Sequence, residues 1–94
     1  MTAEQTLSRL ARVNEVVMLR GEKSRTSLYQ ALKKGTFTQP IKLSGKSVAW
    51  LLEEVQVLVR ARGLGADDAQ LAELVNRLHA ERGVKLAALM AKGV

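Results

Sequence analysis

The segment that most constrains this sequence is residues 24–35, where residue types specify both the ends and the faces of one element. Ser24 is a good N-cap, because a serine hydroxyl accepts hydrogen bonds from the free amides of a first helical turn. Gly35 can adopt the left-handed conformation that ends a helix. At 100° per residue, one face is apolar and consists of Leu28, Ala31 and Leu32. The segment is therefore predicted to be an amphipathic helix of about three turns.

The opposite face of this helix carries hydrogen-bond donors and no negative charge. Its polar residues are Thr26, Gln30 and Lys33, with Arg25 and Tyr29 at the edges. A glutamine amide can pair bidentately with adenine, and no carboxylate occurs between residues 23 and 46. These properties are typical of a helix that lies in a DNA major groove. A solvated helix face of no special function has a similar composition.

The positive charge of the chain is concentrated in its first half. The formal net charge is +6, and residues 1–46 hold nine lysines and arginines against three acidic residues, whereas residues 47–94 hold six of each. A local excess of positive charge attracts polyanions, and binding that neutralises phosphates weakens steeply with salt. Ribosomal and membrane-surface proteins are also basic, so charge alone does not identify the partner.

Several classes of protein do not fit the composition. Ninety-four residues suit one domain with a small core. Without cysteine there is no disulfide framework, thiolate metal site or thiol nucleophile. No apolar run approaches the length of a membrane span, and the N-terminus lacks the pattern of a secretion signal. We expect a cytoplasmic protein without a cofactor or a metal.

Acid and base residues do not form a catalytic pattern. His79 is the single histidine and has no evident carboxylate or cysteine partner in the sequence. The acidic pairs are Glu53-Glu54 and Asp67-Asp68, and both lie where helix starts favour negative charge. We therefore do not expect an enzyme.

A short helix is predicted before the first segment. Residues 13–19 place valines at helical spacing, and Gly21 follows soon after. A helix, a turn that contains glycine and a second helix with a polar outer face form a helix-turn-helix.

A β-hairpin is predicted after Pro40. Residues 41–43 and 47–50 alternate in polarity around a Ser44-Gly45-Lys46 tip. Lys42 and Lys46 flank a small backbone that can approach a phosphate closely, so the hairpin is interpreted as a wing that contacts DNA beside the helix. Lysines that protect a soluble hairpin from edge pairing produce the same pattern.

A third helix is predicted to close the domain and to end at residues 63–65. Phe37 and Trp50, which precede it, are predicted to pack in the core. Its stripe is Leu52, Val55, Leu58 and Val59, with Glu53 and Glu54 in the first turn and Arg60 and Arg62 in the last. Residues 2–11 are compatible with a helical arm or a frayed end.

A fourth helix is predicted over residues 67–82, ending at Gly83, with one or two further turns over residues 84–91. Its stripe is Leu71, Leu74, Val75 and Leu78, which must pack on the first three helices or on another copy. The predicted organisation is an N-terminal arm (1–12), a winged helix-turn-helix (13–62) and a C-terminal helix and tail (67–94) available for self-association or partner docking.

Six residues follow one another in a characteristic order between Tyr29 and Trp50. They are Gly35, Phe37, Pro40, Leu43, Gly45 and Trp50. In this order the segment resembles the AlpA family of small phage and mobile-element regulators, and the resemblance covers roughly residues 13–62. Thr38 stands where the family has a proline, Ser44 a glycine and Lys46 an arginine. The turn at residues 21–24 is one residue longer than expected, with Glu22 and Lys23 where an apolar residue is common.

The resemblance implies a mainly helical winged helix-turn-helix with one small hairpin, related in shape to MerR-type domains, here with an added C-terminal helix. It implies an excisionase, a recombination directionality factor that binds adjacent sites near an attachment site, bends DNA and helps a tyrosine recombinase to excise the element. A transcriptional regulator of mobile-element genes is the alternative within the family. An antitoxin or protein-interaction module is a third possibility, based on the apolar stripe of the fourth helix.

The residues expected to contact DNA are Ser24, Arg25, Thr26, Ser27, Tyr29, Gln30, Lys33, Lys34, Lys42, Ser44, Gly45 and Lys46. Of these, Arg25, Thr26, Gln30 and Lys33 are expected to read or flank base edges, and Tyr29 and Lys34 to hold phosphates. One copy would bury little DNA surface, so contacts between neighbouring copies on DNA, with the fourth helix as their source, are expected to add affinity.

Overall fold

A small antiparallel sheet joins segments that are far apart in the chain. The structure, a computed structural model, describes residues 9–92. Strands β1 (Leu10–Ala11) and β2 (Ile41–Lys42) lie on either side of β3 (Val48–Leu51). Ala11 pairs with Trp50, and Lys42 pairs with Val48. The predicted hairpin is confirmed, and the residues just before the first helix add a third strand.

Four helices complete the fold, and the predicted class, mainly helical with one small hairpin and an additional C-terminal helix, is confirmed. Their bounds are α1 (Val13–Leu19), α2 (Thr26–Lys34), α3 (Leu52–Gly63) and α4 (Asp68–Lys92). Residues 1–8 of the predicted arm and the last two residues of the predicted tail lie outside the described residues.

The predicted N-cap of α2 is wrong by one residue. Arg25, not Ser24, occupies the N-cap position, and no side chain caps the first turn. Arg25 already has helical dihedral angles, with φ −78° and ψ −14°, and its carbonyl accepts the amide of Tyr29 at 3.0 Å. Because the first helical bond begins at Arg25, the hydroxyl of Ser24 lies one position too early to cap the helix.

The end of α2 is as predicted. Gly35 has φ +79°, a left-handed conformation that disfavours any residue with a Cβ. The amides of Gly35 and Thr36 donate to the carbonyls of Leu32 and Ala31 at 3.2 and 3.0 Å, which satisfies the last turn. Thr36 then leads the chain directly into the buried Phe37.

One apolar core lies between the helices and β3. Trp50 and Phe37 are each 1% exposed, so their predicted core positions are confirmed. The other buried members are Ala11, Val16, Val17, Leu28, Ala31, Leu52, Val55, Leu58, Leu71 and Val75. Every helix contributes to this core, so the position of each depends on the others.

The first part of α4 packs against the rest of the same chain. Leu71 and Val75 are buried in the core, and Leu74 and Leu78 pack against it. The sequence left open whether the stripe of the fourth helix packs on the first three helices or on another copy. In the structure it packs within the same chain.

The predicted end of the fourth helix at Gly83 is wrong, because α4 continues to Lys92. A glycine inside a helix costs only about 1 kcal/mol. Ion pairs hold the helix on both sides of Gly83, from Arg82 to Glu54 at 2.6 Å and from Lys85 to Glu53 at 3.3 Å. After Gly83 the helix carries exposed apolar side chains, Val84, Leu86, Leu89 and Met90, which are 59–70% exposed.

The contrast between the two glycines gives the first prediction. Gly35→Ala is expected to lower the free energy of unfolding by about 1 kcal/mol, because alanine disfavours a positive φ. Gly83→Ala is expected to raise it by about 0.5–1 kcal/mol, because alanine is the better residue in a continuous helix. Urea unfolding followed by Trp50 fluorescence measures both.

The two substitutions are matched, because an added Cβ would meet no atom within 4 Å at either site. A loss of stability in Gly83→Ala would contradict the continuous helix and favour a helix that ends at that glycine.

Candidate nucleic-acid interface

The outer face of α2 is exposed along its whole length. Within the helix, the exposed residues predicted to contact DNA are Thr26, Ser27, Tyr29, Gln30, Lys33 and Lys34. Ser24 and Arg25, in the turn before it, are also exposed. The opposite side is fixed by Leu28 and Ala31 in the core, so the polar face points away from the protein.

The wing ends in a tight turn with an exposed backbone. The amide of Ser47 donates to the Ser44 carbonyl at 2.9 Å, and the amide of Leu43 donates to the Ser47 carbonyl at 3.0 Å. Gly45 lies between them with φ +54°. The four predicted wing residues, Lys42, Ser44, Gly45 and Lys46, are all exposed.

A shallow groove connects α2 with the wing. Arg25 and Tyr29 line it from the helix side, and Lys46 and Ser47 line it from the wing. Its remaining lining residues are Arg12, Val13, Leu32, Pro40, Val48 and Trp50, so no carboxylate lines it. The helix and the wing therefore adjoin on one side of the molecule, with a positively charged concave surface between them.

Arg12 is a member of this surface that sequence reasoning missed. It lies between β1 and α1, 13 positions before Arg25 in the chain. It reaches the groove because β1 pairs with β3, which places Ala11 beside Trp50. No local pattern marks Arg12, since its position depends on a pairing between distant strands.

The groove brings together only some of the predicted residues. Thr26, Ser27, Gln30, Lys33 and Lys34 lie on α2 outside its lining, and Lys42, Ser44 and Gly45 lie on the wing outside it. Ser24 lines a separate depression near the start of α2.

The basic residues of this surface keep their charge unpaired. Within residues 9–92, no carboxylate lies within ion-pair distance of Arg25, Lys33, Lys34, Lys42 or Lys46. Arg25 donates to the side-chain oxygen of Asn14 at 3.1 Å, a neutral partner that orients the guanidinium from α1. Unpaired and exposed cations of this kind suit an anionic ligand.

A polar contact fixes the turn between α1 and α2. Arg20 donates to both carboxylate oxygens of Glu22 at 2.9 Å, and its guanidinium lies 4.7 Å from the ring centre of Phe37. Glu22 in the long turn therefore forms an ion pair with Arg20, and the guanidinium of Arg20 packs on the core residue Phe37.

The base of the wing is tied to the interior. The indole N–H of Trp50, on β3, donates to the Thr38 carbonyl at 3.0 Å. The Thr38 hydroxyl donates to Glu54 at 2.5 Å, and both residues are buried. The position at which this chain departs from the family proline therefore supplies a buried hydrogen bond.

His79, the single histidine, contacts the backbone of the segment that leads into β2. His79 is half-buried, and its Nε2 accepts the amide of Gln39 at 3.1 Å. Across residues 9–92 no three histidine or acidic residues group as metal ligands. No helix in that range combines the length and the apolar character needed to cross a bilayer.

These features define a winged helix-turn-helix followed by a long C-terminal helix. The model of the family described as prophage CP4-57 regulatory protein (AlpA) matches residues 9–62. The chain belongs to the AlpA family and is thus a DNA-binding regulator of the phage type. The matched residues contain the whole of the helix-turn-helix and the wing, whereas α4 lies outside them.

A protein from a phage is similar to part of this chain. The chain is 42% identical over 60 residues to an uncharacterized protein, ORF88, of Enterobacteria phage P4. The aligned part covers 64% of this chain and 67% of that protein. No solved structure matches the chain.

Proposed function

We propose that this protein is a sequence-specific DNA-binding excisionase. In this proposal it binds adjacent sites near an attachment site, bends the DNA and promotes excision by a tyrosine recombinase. The recombinase carries out the chemistry, and this chain acts as the directionality factor.

The observation that best supports DNA binding is that α2 and the wing adjoin on the same side of the molecule. Arg25, Tyr29 and Lys46 line one groove that contains no carboxylate. In the proposed complex α2 enters the major groove, where Gln30 and its neighbours read base edges. The wing holds the adjacent phosphates through Lys42, Lys46 and the small backbone between them.

Neighbouring copies supply the affinity that one small domain lacks. A single module buries limited DNA surface, so occupancy of adjacent sites benefits from contacts between proteins. The exposed apolar residues at the end of α4, Val84, Leu86, Leu89 and Met90, offer such a contact, because most of each side chain is open to solvent. Contact between copies there would bring neighbouring sites together and bend the DNA between them.

A transcriptional regulator of mobile-element genes is the second candidate, and membership of a family of prophage regulatory proteins favours it. An antitoxin or interaction module has less support, because Leu71 and Val75, on which that hypothesis depended, are buried in the chain's own core.

An excision assay separates the two candidates. The substrate is an integrated element with its own tyrosine recombinase, with and without this protein, and the product is the rejoined attachment site. We expect excision to depend on the protein and a footprint beside the attachment site to spread as its concentration rises. A footprint confined to a promoter, together with excision that is equal in its absence, would favour the regulator.

Gln30 tests base readout by α2. Gln30→Ala is expected to remove discrimination at one base pair, worth about 1–3 kcal/mol, while affinity for unrelated DNA stays constant. Binding to a set of single-base variants of the site measures this. Gln56→Ala is the control, because Gln56 is an exposed glutamine on α3. An unchanged base preference in Gln30→Ala would remove Gln30 from the proposed interface.

Lys46 tests phosphate contact by the wing. Lys46→Ala is expected to weaken binding to all sequences alike and to lower the slope of log K against log salt by about 1. Fluorescence anisotropy over a salt series measures the slope. Arg77→Met is the control, since Arg77 is exposed on α4 and pairs with Glu73 of the same helix at 3.8 Å. Binding equal to the parent at every salt concentration would show that the wing does not hold DNA.

A further inference from the structure

The α4 residue Arg82 reaches from the C-terminal helix to the start of the wing. Its guanidinium donates to both oxygens of Glu54, at 2.6 and 2.9 Å. The same side chain donates to the Gln39 carbonyl at 2.6 Å and to the Thr38 hydroxyl at 3.0 Å. One cation therefore binds α3 and the segment that leads into β2.

His79, one turn earlier on α4, holds the other polar group of the same peptide segment. Its Nε2 accepts the backbone N–H of Gln39 at 3.1 Å. Together, His79 and Arg82 thus engage both the N–H and the C=O of Gln39. This residue lies only two positions before β2, so its backbone sets the direction in which the hairpin leaves the core.

Gln39 also contacts the recognition helix. Its side-chain amide donates to the carbonyl of Leu32, in the last turn of α2, at 3.4 Å. A single residue therefore relates the end of α2 to the start of the wing, and α4 holds the backbone of that residue.

The wing has few other constraints on its direction. Strand β2 has two residues, and a hairpin with so short a ladder is marginal without support at its base. The support includes the hydrogen bond from Trp50 to Thr38 and the hydrogen bonds of α4 with Thr38 and Gln39.

We propose that His79 and Arg82 are positioning residues for the wing, so that the C-terminal helix, which lies outside the proposed DNA-contacting surface, sets how Lys46 meets the phosphates. The proposal rests on the proposed contact between the wing and DNA. It assigns α4 a role in DNA binding within a single copy, separate from any contact between copies.

The variants must separate positioning from loss of stability. Arg82→Met alone would leave the buried Glu54 carboxylate, which is 4% exposed, without its counter-ion, and would destabilise the fold. The double variant Glu54→Gln/Arg82→Met removes both charges of the buried pair. It also removes the hydrogen bond from Arg82 to the Gln39 carbonyl. His79→Leu removes the acceptor of the Gln39 amide and the 3.3 Å contact of the same nitrogen with the Thr38 hydroxyl. Arg77→Met, on the exposed side of the same helix, is the control.

The first measurement is amide hydrogen exchange of the full chain without DNA. Leu43 donates its amide across the hairpin to Ser47, so its protection reports the wing. In the double variant we expect this protection to fall about tenfold, the loss expected when a hydrogen bond to a charged group is removed. We expect the amides of α1 and α2 to keep theirs, and His79→Leu to show a smaller loss at Leu43. Unchanged protection at Leu43 in both variants would overturn the positioning role alone.

The second measurement is a double-mutant cycle with Lys46→Ala on DNA. In the parent and in Arg77→Met, Lys46→Ala is expected to lower the salt slope by about 1. In the Glu54→Gln/Arg82→Met background, where the wing is already displaced, the same change should lower it by less than about 0.3. An equal effect in both backgrounds would overturn the proposal. No effect of Lys46→Ala even in the parent would instead refute the wing contact of the proposed function, and the positioning role with it.

Discussion

The buried carboxylate of Glu54 is the interaction on which the arrangement of the C-terminal helix and the hairpin depends. The Glu54 side chain is 4% exposed, accepts two hydrogen bonds from Arg82 and accepts a third from Thr38. An unpaired charge in such a place costs about 3–5 kcal/mol, so the fold requires the cation of α4 to be in position. Thr38 lies before the hairpin, Glu54 in α3 and Arg82 in α4. The contacts of this one ion pair therefore align three parts of the chain more strictly than the apolar core alone would.

The ion pairs also explain why the surface of α2 and the wing is basic, because they hold several acidic residues elsewhere in the molecule. Glu22, Glu53 and Glu54 each pair with a basic residue away from the groove between α2 and the wing. The excess of lysine and arginine in the first half of the sequence becomes, after folding, an excess on one side of the molecule. Negative charge is placed where it holds the scaffold, and positive charge remains where a phosphate backbone can reach it.

Much of the fold was predictable because its boundaries depend on neighbouring residues. Gly35 ends α2 through its own φ, and the Ser44-Gly45-Lys46 tip forms the hairpin turn locally. The exposure of Gln30 and Lys46 followed from the same local patterns. At Gly83 the local rule failed, because the ion pairs of Arg82 and Lys85 with α3 outweigh the modest cost of a glycine in a helix.

The parts of the site that sequence reasoning missed depend on distant pairings. Arg12 joins the groove through the pairing of β1 with β3, and Thr38 meets Arg82 across 44 positions of the chain. In the sequence, Thr38 is only a departure from a proline pattern, since nothing nearby shows a need for its hydroxyl. Only the packed structure shows that need.

The hydrogen bonds that Glu54 accepts from Thr38 and Arg82 cross the boundary of the residues that match the AlpA family. Thr38 and Glu54 lie inside the matched residues 9–62, and Arg82 lies outside them. A carboxylate at 54 needs the cation of Arg82 because the docked helix holds the pair away from water. In a related chain without such a helix, position 54 would not be covered by it, and no counter-ion would be required there. Threonine at 38, an acidic residue at 54 and arginine at 82, found together in a related sequence, would therefore indicate that a fourth helix is docked on its core.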